Sequence, residues 1–309
     1  MTTRTDLRGA FTALVTPFRR DGAVDEAAFE RLVERQLEAG IDGLVPCGTT
    51  GESPTLTGDE RDRLIELTIH AARQRTGDGR TSVVAGTGTN DTRATIAATR
   101  RAAALGADAA LVVAPYYNKP DQRMLEAHYR TIADEGDLPV VVYNVPGRTG
   151  TNLAADTLLR LAEHERIIGV KEASANLEQI MTILRDRPTG FAVLSGDDSW
   201  TLALLGLGGD GVISVASNEV PEVMVALCAA ARAGDWSTAR DIHERHLELF
   251  RANFISPNPV PVKAALAEMG LIEDLLREPL LPLADGERAA LRRVISALGL
   301  VGDVAAVAA

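Results

Sequence analysis

Eight short runs of β-branched and other apolar residues punctuate the first three quarters of the chain: FTALVTPF, GLVPCG, SVVAGTG, AALVVAP, PVVVYNVP, IIGVKEA, FAVLSGDD and GVISVASN. Polar residues rarely alternate with apolar ones inside these runs. That pattern fits parallel strands covered on both faces rather than a half-wet antiparallel sheet. Amphipathic stretches with legible ends lie between them. Asp25 opens one helix and Gly40 closes it, Thr57 and Glu60 form a capping box at the head of the next, and Asn90 or Asp91 opens a third that Gly106 stops.

Strand-then-helix units with right-handed crossovers either close into a barrel or spread into a doubly wound sheet, and a count of eight favours a (β/α)8 TIM barrel. Past about Ala230 the strand pattern stops. DWSTARDIHERHLELFRANF is amphipathic, SPNPVPV breaks it, and KAALAEMGL and ERAALRRVISALGL follow. The expected division is a catalytic barrel over 1–230 and a C-terminal helical appendage over 231–309. No long linker or low-complexity tract separates the two, so the appendage is expected to pack on the barrel.

Composition narrows the function. The 309 residues, 46% apolar and 24% charged, carry a formal charge of −11, the wrong balance for neutralising a phosphate backbone. Nucleic acid is therefore not an expected partner. No stretch reaches the apolar length of a membrane span, MTTRTDLRGAF lacks the apolar core of a signal peptide, and Cys47 and Cys228 give no disulfide framework. A cytoplasmic enzyme or binding protein is expected.

In a parallel barrel every strand's C-terminal end lies on one face, where functional groups collect. Reading polar residues at those ends gives Thr49, Thr50 and Glu52, then Tyr116 and Tyr117, then Tyr143, Asn144 and Arg148. Lys171 and Glu172, Asp197 and Asp198, and Ser214 complete the set. Of the 32 lysines and arginines only Lys119, Lys171 and Lys263 are lysine, so charge at the surface is left to arginine. An arginine keeps its proton in a protein, whereas a buried lysine becomes a neutral amine. Lys171 ends the most apolar run. Lowering an amine from about 10.4 by roughly three units costs about 4 kcal/mol, within what burial imposes. A neutral amine attacks a ketone or aldehyde to give a carbinolamine and then an iminium, and Tyr143 on the adjacent strand is the natural proton shuttle. Lys119, in a loop, and Lys263, beside NPVPV, lack that apolar strand context and read as ordinary lysines.

CGTTGES combines glycines with paired hydroxyls before a helix. It fits either a tight capped turn or a carboxylate site. Arg148 offers a planar fork for a second carboxylate. Other signals fail: GTGTND has Asp91 where a dinucleotide fingerprint needs its third glycine. His243 and His246 share a helix face without a third ligand. Cys47 has no histidine partner, and Asp197 and Asp198 have no phosphate loop beside them.

The motifs GTTGES, PYYNKP, YNVPGRTG, GVKEAS, LSGDD, GVISV and PNPVPVK stand in the order and approximate spacing of the dihydrodipicolinate synthase/N-acetylneuraminate lyase family, which the chain resembles from about Gly9 to Gly299. The resemblance implies a (β/α)8 barrel with a C-terminal helical region, a homotetramer built as a dimer of dimers, and no metal or cofactor. It implies a condensation of pyruvate with aspartate 4-semialdehyde through a Schiff base on Lys171. By the same resemblance Tyr143, Thr50 and Tyr117 form the proton relay, with Tyr117 lent across an interface, and Thr49 and Thr50 hold the pyruvate carboxylate. Arg148 holds the semialdehyde carboxylate, and Gly196 and Ile213 line the pocket. The arginine in GRTG favours this condensation over cleavage of a 2-keto sugar acid. A non-catalytic ketoacid-binding relative would need an incomplete relay. Lysine-inhibited members carry a histidine and a glutamate where this chain has Gly58 and Ala94, so turnover is expected to persist when free lysine is added to the assay.

Overall fold

The computed structural model describes residues 5–74 and 81–301. Its strands are β1 (Gly9–Ala13), β2 (Gly43–Val45), β3 (Ser82–Gly86), β4 (Ala109–Val113), β5 (Val140–Asn144), β6 (Ile167–Glu172), β7 (Ala192–Ser195) and β8 (Gly211–Ser214). All pair in parallel with their sequence neighbours, and β8 returns to β1, closing the barrel. The helices that ring it are α1 (Glu26–Glu38), α2 (Gly58–Gln74), α3 (Thr92–Leu105), α4 (Gln122–Glu135), the single turn α5 (Pro146–Thr149), α6 (Ala155–Ala162), α7 (Leu177–Asp186), α8 (Thr201–Gly206) and α9 (Pro221–Arg232). The strands are shorter than the apolar runs that announce them, because each run continues past its strand into the functional loop.

The expected helix ends are present. The Asp25 carboxylate accepts from Ala28 N and Gly40 follows α1 at φ +79°, while Asp91 caps α3 and Gly106 ends it in the left-handed region. Thr57 and Glu60 exchange bonds of 2.9 and 3.2 Å at the start of α2. Each such cap satisfies backbone donors that the helix itself leaves open.

Two apolar clusters follow from strand alternation. Phe11, Val45, Val84, Leu111, Val141, Leu194 and Ile213 fill the barrel, while Ala10, Leu44, Val83, Val112, Val142 and Val193 face the helices. Gly43 is the space that Phe11 occupies: a Cβ there would stand 2.0 Å from the ring. β6 breaks the simple alternation. Val140 pairs with Ile167 but Val141 pairs with Gly169, so one residue is inserted and Lys171 comes level with Tyr143. Because the side-chain period is two, that single bulge turns Lys171 from the helix side to the barrel interior.

Beyond α9 the chain forms α10 (Trp236–Ala252), α11 (Val260–Glu268) and α12 (Asp285–Ala297). α10 packs on α9 and α12. Val262 and Leu266 of α11 join Val15, Leu32 and Val215 in a third cluster near the strand ends. The appendage thus touches the functional end of the barrel. His243 and His246 lie in α10 against Phe250, at centroid distances of 5.6 and 6.5 Å, as packing residues.

Candidate active site

Lys171 is buried, and its amine lies 4.3 Å from the centre of the Tyr143 ring. Burial lowers it from its ordinary value to about 8. The carboxylates of Asp198 and Asp197 oppose that shift, and the Arg148 guanidinium reinforces it. Among the described residues Lys171 has no ion-pair partner, so desolvation prevails and a usable fraction of free amine exists near neutrality. Glu172, the next residue, points outward. It takes bonds from Asn144 Nδ2 and from the Ser174 amide at 2.7 Å, and it is not the lysine's partner.

Gly196, at the end of β7, makes room for this lysine. A Cβ at that position would stand 3.1 and 3.2 Å from Lys171 Cγ and Cε and 2.8 Å from Ala173 Cβ. Ile213 is buried in the barrel beside Phe11 through strand pairing. Neither residue lines the open cavity above, and Lys171 adjoins it through the Tyr143 ring, which does. The cavity encloses about 250 Å³ and is lined by Thr49, Tyr116, Tyr143 and Arg148, among others.

Tyr143 is buried, and desolvation pushes its phenol up to about 12. Arg148 and a hydrogen bond with Thr49 pull it down, and Asp197 pushes it up. The threonine that shares the cavity wall with Tyr143 is Thr49, where the relay position is expected of Thr50. The Thr50 hydroxyl is held separately, accepting a 2.9 Å bond from Asn258 Nδ2 in the appendage. The loop reverses after β2, with Gly51 N and Ser53 N both donating to Gly48 O, so the two adjacent threonines have different neighbours. Neither the Thr49 nor the Thr50 backbone N–H is given to an acceptor among the described residues. Two free amides and two hydroxyls on one turn suit a carboxylate.

Arg148 sits on α5, exposed, at the cavity rim, where its charge reaches both Lys171 and Tyr143. Tyr117 is not brought to this site. It is 89% exposed, away from the cavity wall, and held at φ +73°, a conformation that bulky residues avoid. Asp197 and Asp198 shape the loop after β7 instead. The first caps Ser199 at 2.9 Å, and the second accepts from Val215 N and Ala216 N at 3.0 and 2.9 Å. Ser214 Oγ accepts from Ser217 N. Cys47 is buried and its thiol is pushed up to about 12 by desolvation, which removes it as a nucleophile at neutral pH.

Lys263 is the correction the structure forces most plainly. It is fully buried rather than an ordinary surface lysine. Its ammonium donates to Glu52 Oε1 at 2.5 Å and to Thr16 O at 2.9 Å and lies 4.3 Å from the Phe18 ring centre. Glu52 therefore leaves the set of converging site residues and becomes a fastener, completed by Arg277 N at 3.0 Å. Sequence reading missed this group and Asn258. The one available signal was that Asn258 and Lys263 share the motif PNPVPVK, two prolines apart.

A model of the Dihydrodipicolinate synthetase family matches residues 6–298. The 4-hydroxy-tetrahydrodipicolinate synthase of Chlorobaculum parvum is 49% identical over 296 residues, 96% of this chain and 98% of that protein. The enzyme of the same name from Chloroherpeton thalassium is 50% identical over 299 residues, with 96% and 97% covered. The crystal structure of dihydrodipicolinate synthase from Aquifex aeolicus superposes with a TM-score of 0.92 at 42% identity, over 96% of this chain and all of that one.

Proposed function

The chain belongs to the dihydrodipicolinate synthetase family, and from that premise we propose that it condenses pyruvate with aspartate 4-semialdehyde to 4-hydroxy-tetrahydrodipicolinate, a step toward diaminopimelate and lysine. The observation that carries the reading is the buried amine of Lys171, unpaired among the described residues and level with the Tyr143 ring. The free amine attacks C2 of pyruvate to form a carbinolamine. Tyr143 delivers a proton to its hydroxyl, water leaves, and an iminium remains. Loss of a C3 proton gives the enamine, whose C3 forms the new bond to the aldehyde carbon as the aldehyde oxygen takes up a proton. The amino group of the semialdehyde portion then attacks C2 and displaces Lys171, closing the ring and regenerating the enzyme.

Thr49, on the cavity wall with Tyr143, is the hydroxyl that carries protons along this relay, and Tyr117 extends it. The exposure and positive φ of Tyr117 support its use by a second copy of the chain, within a dimer of dimers. Thr50 and the free amides of the loop hold the pyruvate carboxylate, and Arg148 at the rim holds that of the semialdehyde. The test is an assay with both aldehyde classes. The cyclic product forms with aspartate 4-semialdehyde and not with N-acetylmannosamine, and Arg148→Ala raises the semialdehyde KM about tenfold or more while pyruvate KM stays within about twofold. Cleavage of a sugar acid at a comparable rate would contradict the reading.

A further inference from the structure

Asn258 reaches the site from the appendage, 208 residues away in sequence from the hydroxyl it binds. It is 7% exposed, and Thr50 is 2% exposed. A threonine hydroxyl has one proton and two lone pairs. With Asn258 Nδ2 donating at 2.9 Å, one lone pair is taken, and among the described residues the hydroxyl's own proton goes to no protein acceptor.

The contact is held from a second point. Lys263, five residues beyond Asn258, is pinned to Glu52, two residues beyond Thr50, and to Thr16 O. The two segments are thus bonded at both ends of a short stretch, which fixes the amide against the hydroxyl. Asn258 Oδ1 is buried without a partner, a cost that a freely chosen side chain would avoid. Turned over, the same amide would accept the Thr50 proton and leave none to donate to a ligand.

We propose that Asn258 is a positioning residue of the 2-oxo acid site: its amide orients the Thr50 hydroxyl so that the hydroxyl's proton is donated to the carboxylate of bound pyruvate. The inference rests on the function read above and adds to it a part for the appendage in selecting a 2-oxo acid.

The test compares Asn258→Ala, Asn258→Asp and Thr50→Val with the wild-type protein. Each is assayed for KM toward both substrates, kcat, melting temperature, and half-saturation of borohydride trapping by pyruvate. Asn258→Ala is expected to raise pyruvate KM and half-saturation about tenfold, with kcat and semialdehyde KM within about twofold. Asn258→Asp, which can only accept, is expected to be worse. Joining Asn258→Ala to Thr50→Val should add little to either alone. If Asn258→Ala does not fold, Asn258→Asp carries the same test, its shape being conserved.

A wild-type pyruvate half-saturation in Asn258→Ala or Asn258→Asp overturns the proposal, as do equal rises for both substrates accompanied by a lower melting temperature. A wild-type chain that traps no pyruvate at all sinks the functional reading instead, and the proposal with it.

Discussion

Lys171 and Lys263 are both buried, and each holds its nitrogen 4.3 Å from the centre of an aromatic ring, Tyr143 in one case and Phe18 in the other. Burial lowers both. For Lys263 the Glu52 carboxylate pulls back by charge and by a hydrogen bond; for Lys171 the aspartates act only through charge, and Arg148 works against them. Among the described residues, no carboxylate is bonded to Lys171 to hold it as an ammonium. Lys263 is the positive half of an ion pair joining the appendage to the loop after β2. Burial alone does not make a nucleophile; the absence of a bonded carboxylate does.

Exchanging each lysine for methionine separates the two. Lys171→Met should abolish turnover, by at least about a thousandfold, while at pH 7 the protein melts at or above the wild-type temperature. The sign follows from the lowered pKa. The unfolded chain holds the proton up to about 10.5 and the folded one only to about 8, so the penalty is fully present below pH 8 and fades as pH rises through that window. Lys263→Met should do the reverse. It leaves Glu52 charged and buried, costing roughly 3–5 kcal/mol by chemical denaturation, and adding Glu52→Gln recovers part of the loss. A Lys263→Met protein as stable as wild type would erase the distinction.

A smaller effect lies at the same junction. Glu60 is lowered from 4.5 to about 2, chiefly by the hydrogen bond from Arg277. Its contribution is therefore complete above pH 4.5 and lost as pH falls toward 2. Both side chains keep some contact with water, so Arg277→Ala should cost only about 1 kcal/mol near neutrality, and that difference should shrink in acid denaturation curves as pH drops. The appendage side thus titrates in acid, the Lys171 side in alkali.

Much of this was legible in the chain. Eight apolar runs with capped helices between them lead to a closed barrel, and scarcity of lysine together with an apolar strand singles out Lys171. What was not legible has a common physical cause: it depends on register or on distant partners. The bulge between Ile167 and Gly169 that turns Lys171 inward has no composition of its own. Two adjacent threonines look alike until the loop reversal sets one on the cavity wall with Tyr143 and bonds the other to Asn258. Lys263 reads as an ordinary lysine because its carboxylate lies 211 residues earlier. The exposure of Tyr117 is likewise announced by nothing in its sequence neighbours.

Reductive trapping by borohydride in the presence of pyruvate, followed by peptide mapping at pH values from 6 to 10, tests the central claim most directly. The adduct should be confined to the peptide carrying Lys171, and its initial rate should rise about tenfold per pH unit before levelling above about 8. An adduct on Lys263, or a rate on Lys171 that keeps climbing without a break to pH 10, would contradict it.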